Sequence, residues 1–276
     1  MKLDAHQHFW SYDPLEYSWI QDGWPIRQDF LPPALAPLLD AAGLDGSIAV
    51  QARQTVEESL WLLRLADEHP RIKGVVGWVD LRSDRVEEQL AELSRHPKFA
   101  GVRHVVQDEP NDRFMLEPQF MNGLSKLRQL DLTYDLLVFP RQLPAALEVV
   151  RQMPDQPFVL DHLAKPSIRD GLMSPWREHI RRLARAPNVF CKISGLMTEA
   201  DWNGWNSRDF RPYLDVVFEA FGIERLMFGS DWPVCLLAGT YAQAFDIARE
   251  YAEFFPLADR AKLFGGNAAQ FYGVGD

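Results

Sequence analysis

The 276-residue sequence predicts an α/β fold, a single (β/α)8 TIM barrel spanning residues 1–276. Three observations carry that expectation. Eight short apolar runs alternate with amphipathic stretches. The runs are continuously apolar rather than strictly alternating, the pattern of parallel strands buried on both faces. The length suits one closed barrel of roughly 250 residues, and no linker or composition shift marks a second domain. An open doubly wound sheet competes, but it would place a glycine-rich turn after the first strand, where this chain has His6-Gln7-His8-Phe9-Trp10.

Each element follows from local chemistry. The first strand ends in two imidazoles one residue apart. Side chains at i and i+2 of an extended strand share a face, so His6 and His8 aim at one point, suited to a metal ion or to one oxygen taking two donors. Residues 11–30 carry Tyr12, Tyr17, Trp19 and Trp24 without a period of 2 or 3.6, and form an aromatic loop that can act as a lid or as a hydrophobic plug. Pro32 and Pro33 open a helix that Gly43 stops. Strand 46–52 precedes a helix over 56–69, with Glu57 and Glu58 near its N-terminus complementing the dipole. Strand 73–80 is followed by a helix over 84–95 capped by Ser83, and 100–106 is the fourth strand. The grammar continues with helix 119–129, strand 133–139, helix 144–152, strand 157–163, helix 175–186, strand 189–194, helix 211–221, strand 225–229, helix 241–254 and a short helix near 257–264.

Composition narrows the function. The net charge of -10, from 39 acidic against 29 basic residues without a basic run, argues against a nucleic-acid partner. No apolar run approaches the ~18 residues of a membrane helix, so the expectation is a cytoplasmic protein with no membrane partner. Cys191 and Cys235 lie in apolar segments without metal or disulfide spacing and read as buried small residues. Nothing in the pattern selects an oligomeric state.

In a barrel the carboxyl ends of the strands meet around one mouth, where active sites sit. Those ends offer His6 and His8, Gln51 and Arg53, Asp80, Arg103 and His104, Asp135, His162, Lys192 and Asp231. Arg103 and His104 are adjacent, so at most one of them faces the centre directly. Lys192, between Cys191 and Ile193, needs a partner, for which the mouth offers Asp231 or an anionic substrate. His69, His96 and His179 fall on helices or their ends and are given no role.

Nearly the whole chain resembles the amidohydrolase superfamily, and within it a group of TIM-barrel lactonases. The resemblance rests on His6-Gln7-His8, Gly101-Val102-Arg103-His104, Leu160-Asp161-His162-Leu163-Ala164-Lys165-Pro166, Lys192-Ile193-Ser194-Gly195 and Phe228-Gly229-Ser230-Asp231-Trp232-Pro233. It implies hydrolysis of a small-molecule sugar lactone, such as L-fuconolactone or L-rhamnonolactone, in bacterial sugar catabolism. It also implies His6, His8, His162 and Asp231 as ligands of one divalent metal, zinc in the first place. The fifth strand has no histidine and the fourth no lysine, so a binuclear centre is not expected.

Lactone hydrolysis needs an activated water and a stabilised oxyanion. Asp231 is the candidate general base. An ordinary aspartate, with a pKa of about 3.9, is weak for this task, so either the apolar Phe228 and Trp232 raise it or a metal lowers the pKa of the water. The first route would dispense with the metal. His162, with the other two histidines, would hold the metal or orient the water, while Arg103, His104 or Lys192 would polarise the carbonyl. Trp10 offers a flat face to the sugar, and Arg53 and Asp135 are further candidate substrate contacts. The rival readings are a metal-dependent decarboxylase of an unsaturated or aromatic acid and a non-catalytic carbohydrate-binding barrel.

Overall fold

Eight parallel strands lie in chain order in the computed structural model, which describes residues 1–275. They are β1 (Leu3–Gln7), β2 (Gly46–Val50), β3 (Ile72–Gly77), β4 (Phe99–His104), β5 (Thr133–Leu136), β6 (Phe158–Leu160), β7 (Val189–Ile193) and β8 (Leu226–Phe228). The segment after β8 returns to β1: Asp231 N donates to His6 O at 2.8 Å, and His8 N to Trp232 O at 2.7 Å. Asp4 reinforces that seam. Its Oδ1 accepts from Ser230 N at 2.9 Å, and its Oδ2 from Tyr241 OH at 3.0 Å. The result is a nearly closed (β/α)8 barrel.

The helices α1 (Pro32–Ala42), α2 (Val56–Glu68), α3 (Val86–Leu93), α4 (Pro118–Leu127), α5 (Leu143–Gln152), α6 (Trp176–Leu183), α7 (Ser207–Phe221) and α8 (Tyr241–Tyr251) ring the sheet. Apolar side chains fill two regions. The larger cluster lies mainly between strands and helices; the smaller joins Leu3, Ala5, Ile48, Val50, Val76 and Met227 to Ala268 and Tyr272. These last two belong to a C-terminal helix absent from the sequence expectation. The short helix expected near 257–264 is α9 (Leu257–Ala261) and a wide turn over Lys262–Gly266, and the additional helix α10 (Asn267–Tyr272) follows.

Boundaries differ where side chains decide them. Helix α3 starts at Val86 rather than 84, because Ser83 Oγ accepts from Arg85 N in a turn that precedes the helix. Helix α7 starts a turn before the expected 211, because Asn206 Oδ1 accepts from Arg208 N and Asp209 Oδ2 from Asn206 N in a capping box. Strand β6 ends at Leu160 rather than 163, because the backbone turns left-handed at His162. No helix among the described residues is long and apolar enough to cross a membrane.

Candidate active site and metal centre

Three imidazoles and a carboxylate converge at the mouth. His6 Nε2 and His8 Nε2 are 3.2 Å apart. Asp231 Oδ1 lies 3.4 Å from His8 Nε2, 3.7 Å from His6 Nε2 and 3.8 Å from His162 Nε2. His6 and His8 meet because they share one face of the end of β1. His162 and Asp231 arrive differently, from residues beyond β6 and β8 whose φ values are 52° and 57°. A left-handed backbone costs a non-glycine residue about 1–2 kcal/mol and is retained where the surroundings impose it. Glycine makes the room: a Cβ on Gly195 would lie 2.7 Å from His162 Cγ, and one on Gly229 2.6 Å from His6 Cβ.

Each ring is held by its other nitrogen. His8 Nδ1 meets Val50 O at 2.8 Å; a carbonyl only accepts, so Nδ1 carries the proton and Nε2 keeps its lone pair. His162 Nδ1 lies 2.8 Å from Ser194 Oγ, and His6 Nδ1 lies 3.0 Å from Lys192 Nζ and 3.3 Å from Asp161 Oδ1, while Arg103 Nη1 stands 3.2 Å from His6 Nε2. Burial disfavours protonation of all three rings. It pushes His162 down to about 4 and lowers His8, while His6 is driven well down by burial together with the Lys192 ammonium. For Asp231 burial acts upward, but His162, His8 and His6 hold its carboxyl below the usual range. The apolar route to a stronger base, expected from Phe228 and Trp232, is therefore not the one the fold takes.

This donor set fits a divalent ion. Bonds of about 2.0–2.2 Å in a tetrahedron place ligand atoms roughly 3.3–3.6 Å apart; His6 Nε2, His8 Nε2 and Asp231 Oδ1 lie 3.2–3.7 Å from one another, and His162 Nε2 joins them through Asp231 Oδ1 at 3.8 Å. Neutral imidazoles, an ionised carboxylate and a hydrogen-bonded outer nitrogen on each ring are what such a centre requires.

Beneath the histidines lies a column of buried charge. Arg103 Nη1 pairs with Asp161 Oδ2 at 3.0 Å, and its Nε and Nη2 bind Gln51 Oε1 at 3.0 and 2.7 Å. Lys192 Nζ lies 3.0 Å from Asp161 Oδ1 and 2.5 Å from Asp135 Oδ2, and Tyr272 OH donates to Asp135 at 2.9 Å. The partners of Lys192 are thus Asp135, Asp161 and, at 3.0 Å, His6 Nδ1, not Asp231, and the ammonium is completely buried. Two cations offset two carboxylates in a space water does not reach. Burial raises Asp135 to about 6 against the pull of Lys192. It acts the same way on Asp161, where Lys192, His6 and Arg103 outweigh it and hold the acid well down.

The sequence candidates therefore separate. His8, Arg103, His162 and Asp231 form the floor of a cavity of ≈ 470 Å³, with Trp10 and Arg53 in its wall. Trp24, from the aromatic loop, meets Trp202 across that wall with ring centroids 5.5 Å apart. Arg53 pairs with Glu16, which ties the aromatic loop to the turn after β2. Lys192 and Asp135 lie below this layer. His104 points away from the centre, stacked on Phe114 with its Nε2 2.7 Å from Glu109 Oε1. Asp161 and Tyr272 were given no role from sequence. A strict period of two sends Asp161 to the face opposite His162, but the left-handed turn rotates His162 so that both point inward. The adjacency of Asp161 and His162 was the available signal.

The amidohydrolase family model matches residues 3–274. An L-fucono-1,5-lactonase of Burkholderia multivorans is 43% identical over 286 residues, covering 99% of this chain and 96% of the relative. One from Burkholderia ambifaria is 39% identical over 278 residues, with the same coverage of 99% and 96%. The crystal structure of a Burkholderia multivorans amidohydrolase with bound zinc superposes with a TM-score of 0.96 at 43% identity, covering 100% of both chains. The match runs from the first residue of β1 to two residues past α10, so every strand and helix lies within it, and the chain belongs to the amidohydrolase family.

Proposed function

We propose that this enzyme is a lactonase that hydrolyses an aldonolactone such as L-fucono-1,5-lactone, with Asp231 as general base and zinc as the ion held by His6, His8, His162 and Asp231. The observation that carries this reading is the convergence of those four side chains, with His8, His162 and Asp231 on the floor of an aromatic-walled cavity and His6 buried behind them. The full-length similarity to two L-fucono-1,5-lactonases supports the substrate class. A divalent ion at that point supplies Lewis acidity towards an oxygen.

The residues divide the work. Water adds to the lactone carbonyl carbon as Asp231 accepts one of its protons. The ring C–O bond then breaks, and that proton passes to the departing oxygen, which becomes a hydroxyl. The new carboxylic acid ionises at neutral pH. Arg103, at the cavity floor with its guanidinium fixed by Gln51 and Asp161, places positive charge beside the carbonyl as it becomes an oxyanion. Its partners prevent it from swinging away, so the charge is preorganised. Trp10 and Trp24 offer flat faces to the C–H side of a sugar ring.

The test is acid release from a panel of aldonolactones by protein as purified, by protein after chelation with metal analysis, and by Asp231→Asn. Ring opening is expected, with a loss of about 10³-fold in the variant and recovery of chelated protein on adding zinc. Metal-loaded enzyme that opens no lactone in the panel would sink the proposal, and carbon dioxide release from an unsaturated or aromatic acid would replace it with the decarboxylase reading.

A further inference from the structure

The motif that carries His162 also carries Lys165, for which the chemistry above has no use. Residues His162, Leu163, Ala164 and Lys165 all have positive φ, 52°, 54°, 58° and 48°, and none is glycine. A left-handed turn of four side-chain-bearing residues is costly at each position. It is held by Lys165 N donating to His162 O at 2.7 Å and by Trp176 Nε1 donating to Leu163 O at 2.7 Å. The turn aims two side chains at the mouth. His162 enters the centre, and Lys165 enters the cavity wall beside it.

The cations facing that cavity are not equivalent. Arg103 is engaged by Gln51 and Asp161, and Arg53 by Glu16. Among the described residues Lys165 Nζ makes no hydrogen bond; the carboxylate oxygen Glu199 Oε1 is 3.8 Å away, and the Phe139 ring lies 5.7 Å from it. Its side chain is only 18% exposed. An ammonium has three N–H donors, and those of Lys165 face the cavity rather than a protein acceptor, open to water or to a bound anion. Glu199 is a poor counterion: burial pushes its carboxyl up against the pull of Lys165, and Asp231 adds to the upward push.

We infer that Lys165 is a substrate-contacting catalytic residue that meets the oxyanion formed at the lactone carbonyl and then holds the carboxylate of the ring-opened acid. This rests on the lactonase reading. It differs from the role of Arg103 in that a carboxylate seated on Lys165 supplies acceptors this lysine lacks, so Lys165 sets affinity for the product as well as rate.

The experiment compares wild type with Lys165→Met, Lys165→Arg and Glu199→Gln, measuring turnover of L-fucono-1,5-lactone and, by calorimetry without turnover, binding of L-fuconate. Lys165→Met should lose about 10²-fold in kcat/KM and more than about 10-fold in L-fuconate affinity, with melting temperature and zinc content unchanged. Lys165→Arg should recover most of both, and Glu199→Gln should bind L-fuconate at least as tightly as wild type. Lys165→Met that binds L-fuconate like wild type, wild type that does not bind it, or Glu199→Gln that fails in parallel with Lys165→Met would overturn the inference. Wild type that binds L-fuconate through Lys165 yet opens no lactone would sink the lactonase reading instead.

Discussion

The interior column and the cavity wall of this barrel are built on opposite principles. The column, from Arg103 and Asp161 through Lys192 to Asp135 and Tyr272, sits on strands, the turn after β6 and one C-terminal helix and is closed to water below the Arg103 guanidinium, with each charge set against another. The wall is built from loops. Trp24 and Trp202 meet edge to face, Trp19 is 42% exposed, and the link from Arg53 to Glu16 is partly solvated. The column therefore resists rearrangement because every alternative strands a charge in a dry space, whereas the wall can change at little cost to the fold. Fixed charge under the histidines suits chemistry common to many substrates; a replaceable aromatic rim suits selection among sugars.

The largest effect that could break this contrast comes from Lys192→Met. It leaves Asp135 and Asp161 without their shared cation, and a loss of about 3–5 kcal/mol in unfolding free energy is expected by denaturant titration. A loss below about 1 kcal/mol would mean that the column is not a charge-balanced unit.

Glu58 sits where the two regions meet, with Oε2 accepting from Ala52 N at 3.0 Å and Arg53 N at 2.7 Å. Burial raises its carboxyl from 4.5 to about 7, against these hydrogen bonds. The native state then holds a proton that the unfolded chain has released. This contribution to stability is complete below 4.5 and is lost as pH rises through about 7. Glu58→Gln should remove roughly 3 kcal/mol of that pH dependence, read as the difference between wild-type and variant stability from pH 4 to 8. Parallel curves would show that this carboxyl does not titrate in the window.

The smallest effect belongs to the wall. Trp24→Ala should raise KM for a sugar lactone by about 3–10-fold, roughly 1 kcal/mol, with kcat and melting temperature little changed. A fall in kcat with KM unchanged would move Trp24 from the rim to the chemistry and blur the contrast.

Much of the barrel was legible because strands buried on both faces leave continuous apolar runs, and because proline, glycine and capping residues mark where helices begin and end. His6 and His8 were legible for the same geometric reason, two side chains on one strand face. Asp161 was not, because pattern reading continued β6 to Leu163 and sent neighbouring residues to opposite faces, whereas the backbone turns left-handed after Leu160. Tyr272 was out of reach because its partner, Asp135, lies 137 residues earlier and nothing local joins them.

By itself, then, the sequence determined the eight-fold alternation, the order of the strands, and which residues stand at their carboxyl ends, since those depend on local hydrophobic period and turn chemistry. Beyond the His6–His8 pair, tertiary structure decided how those residues are arranged around a site. It turned His104 outward onto Phe114, sank Lys192 beneath the mouth between two carboxylates, and lifted Lys165 into the cavity wall. The physical reason is that a side chain's direction at a strand end depends on whether the backbone stays extended or turns left-handed, and its charge is tolerated only where distant segments supply a partner.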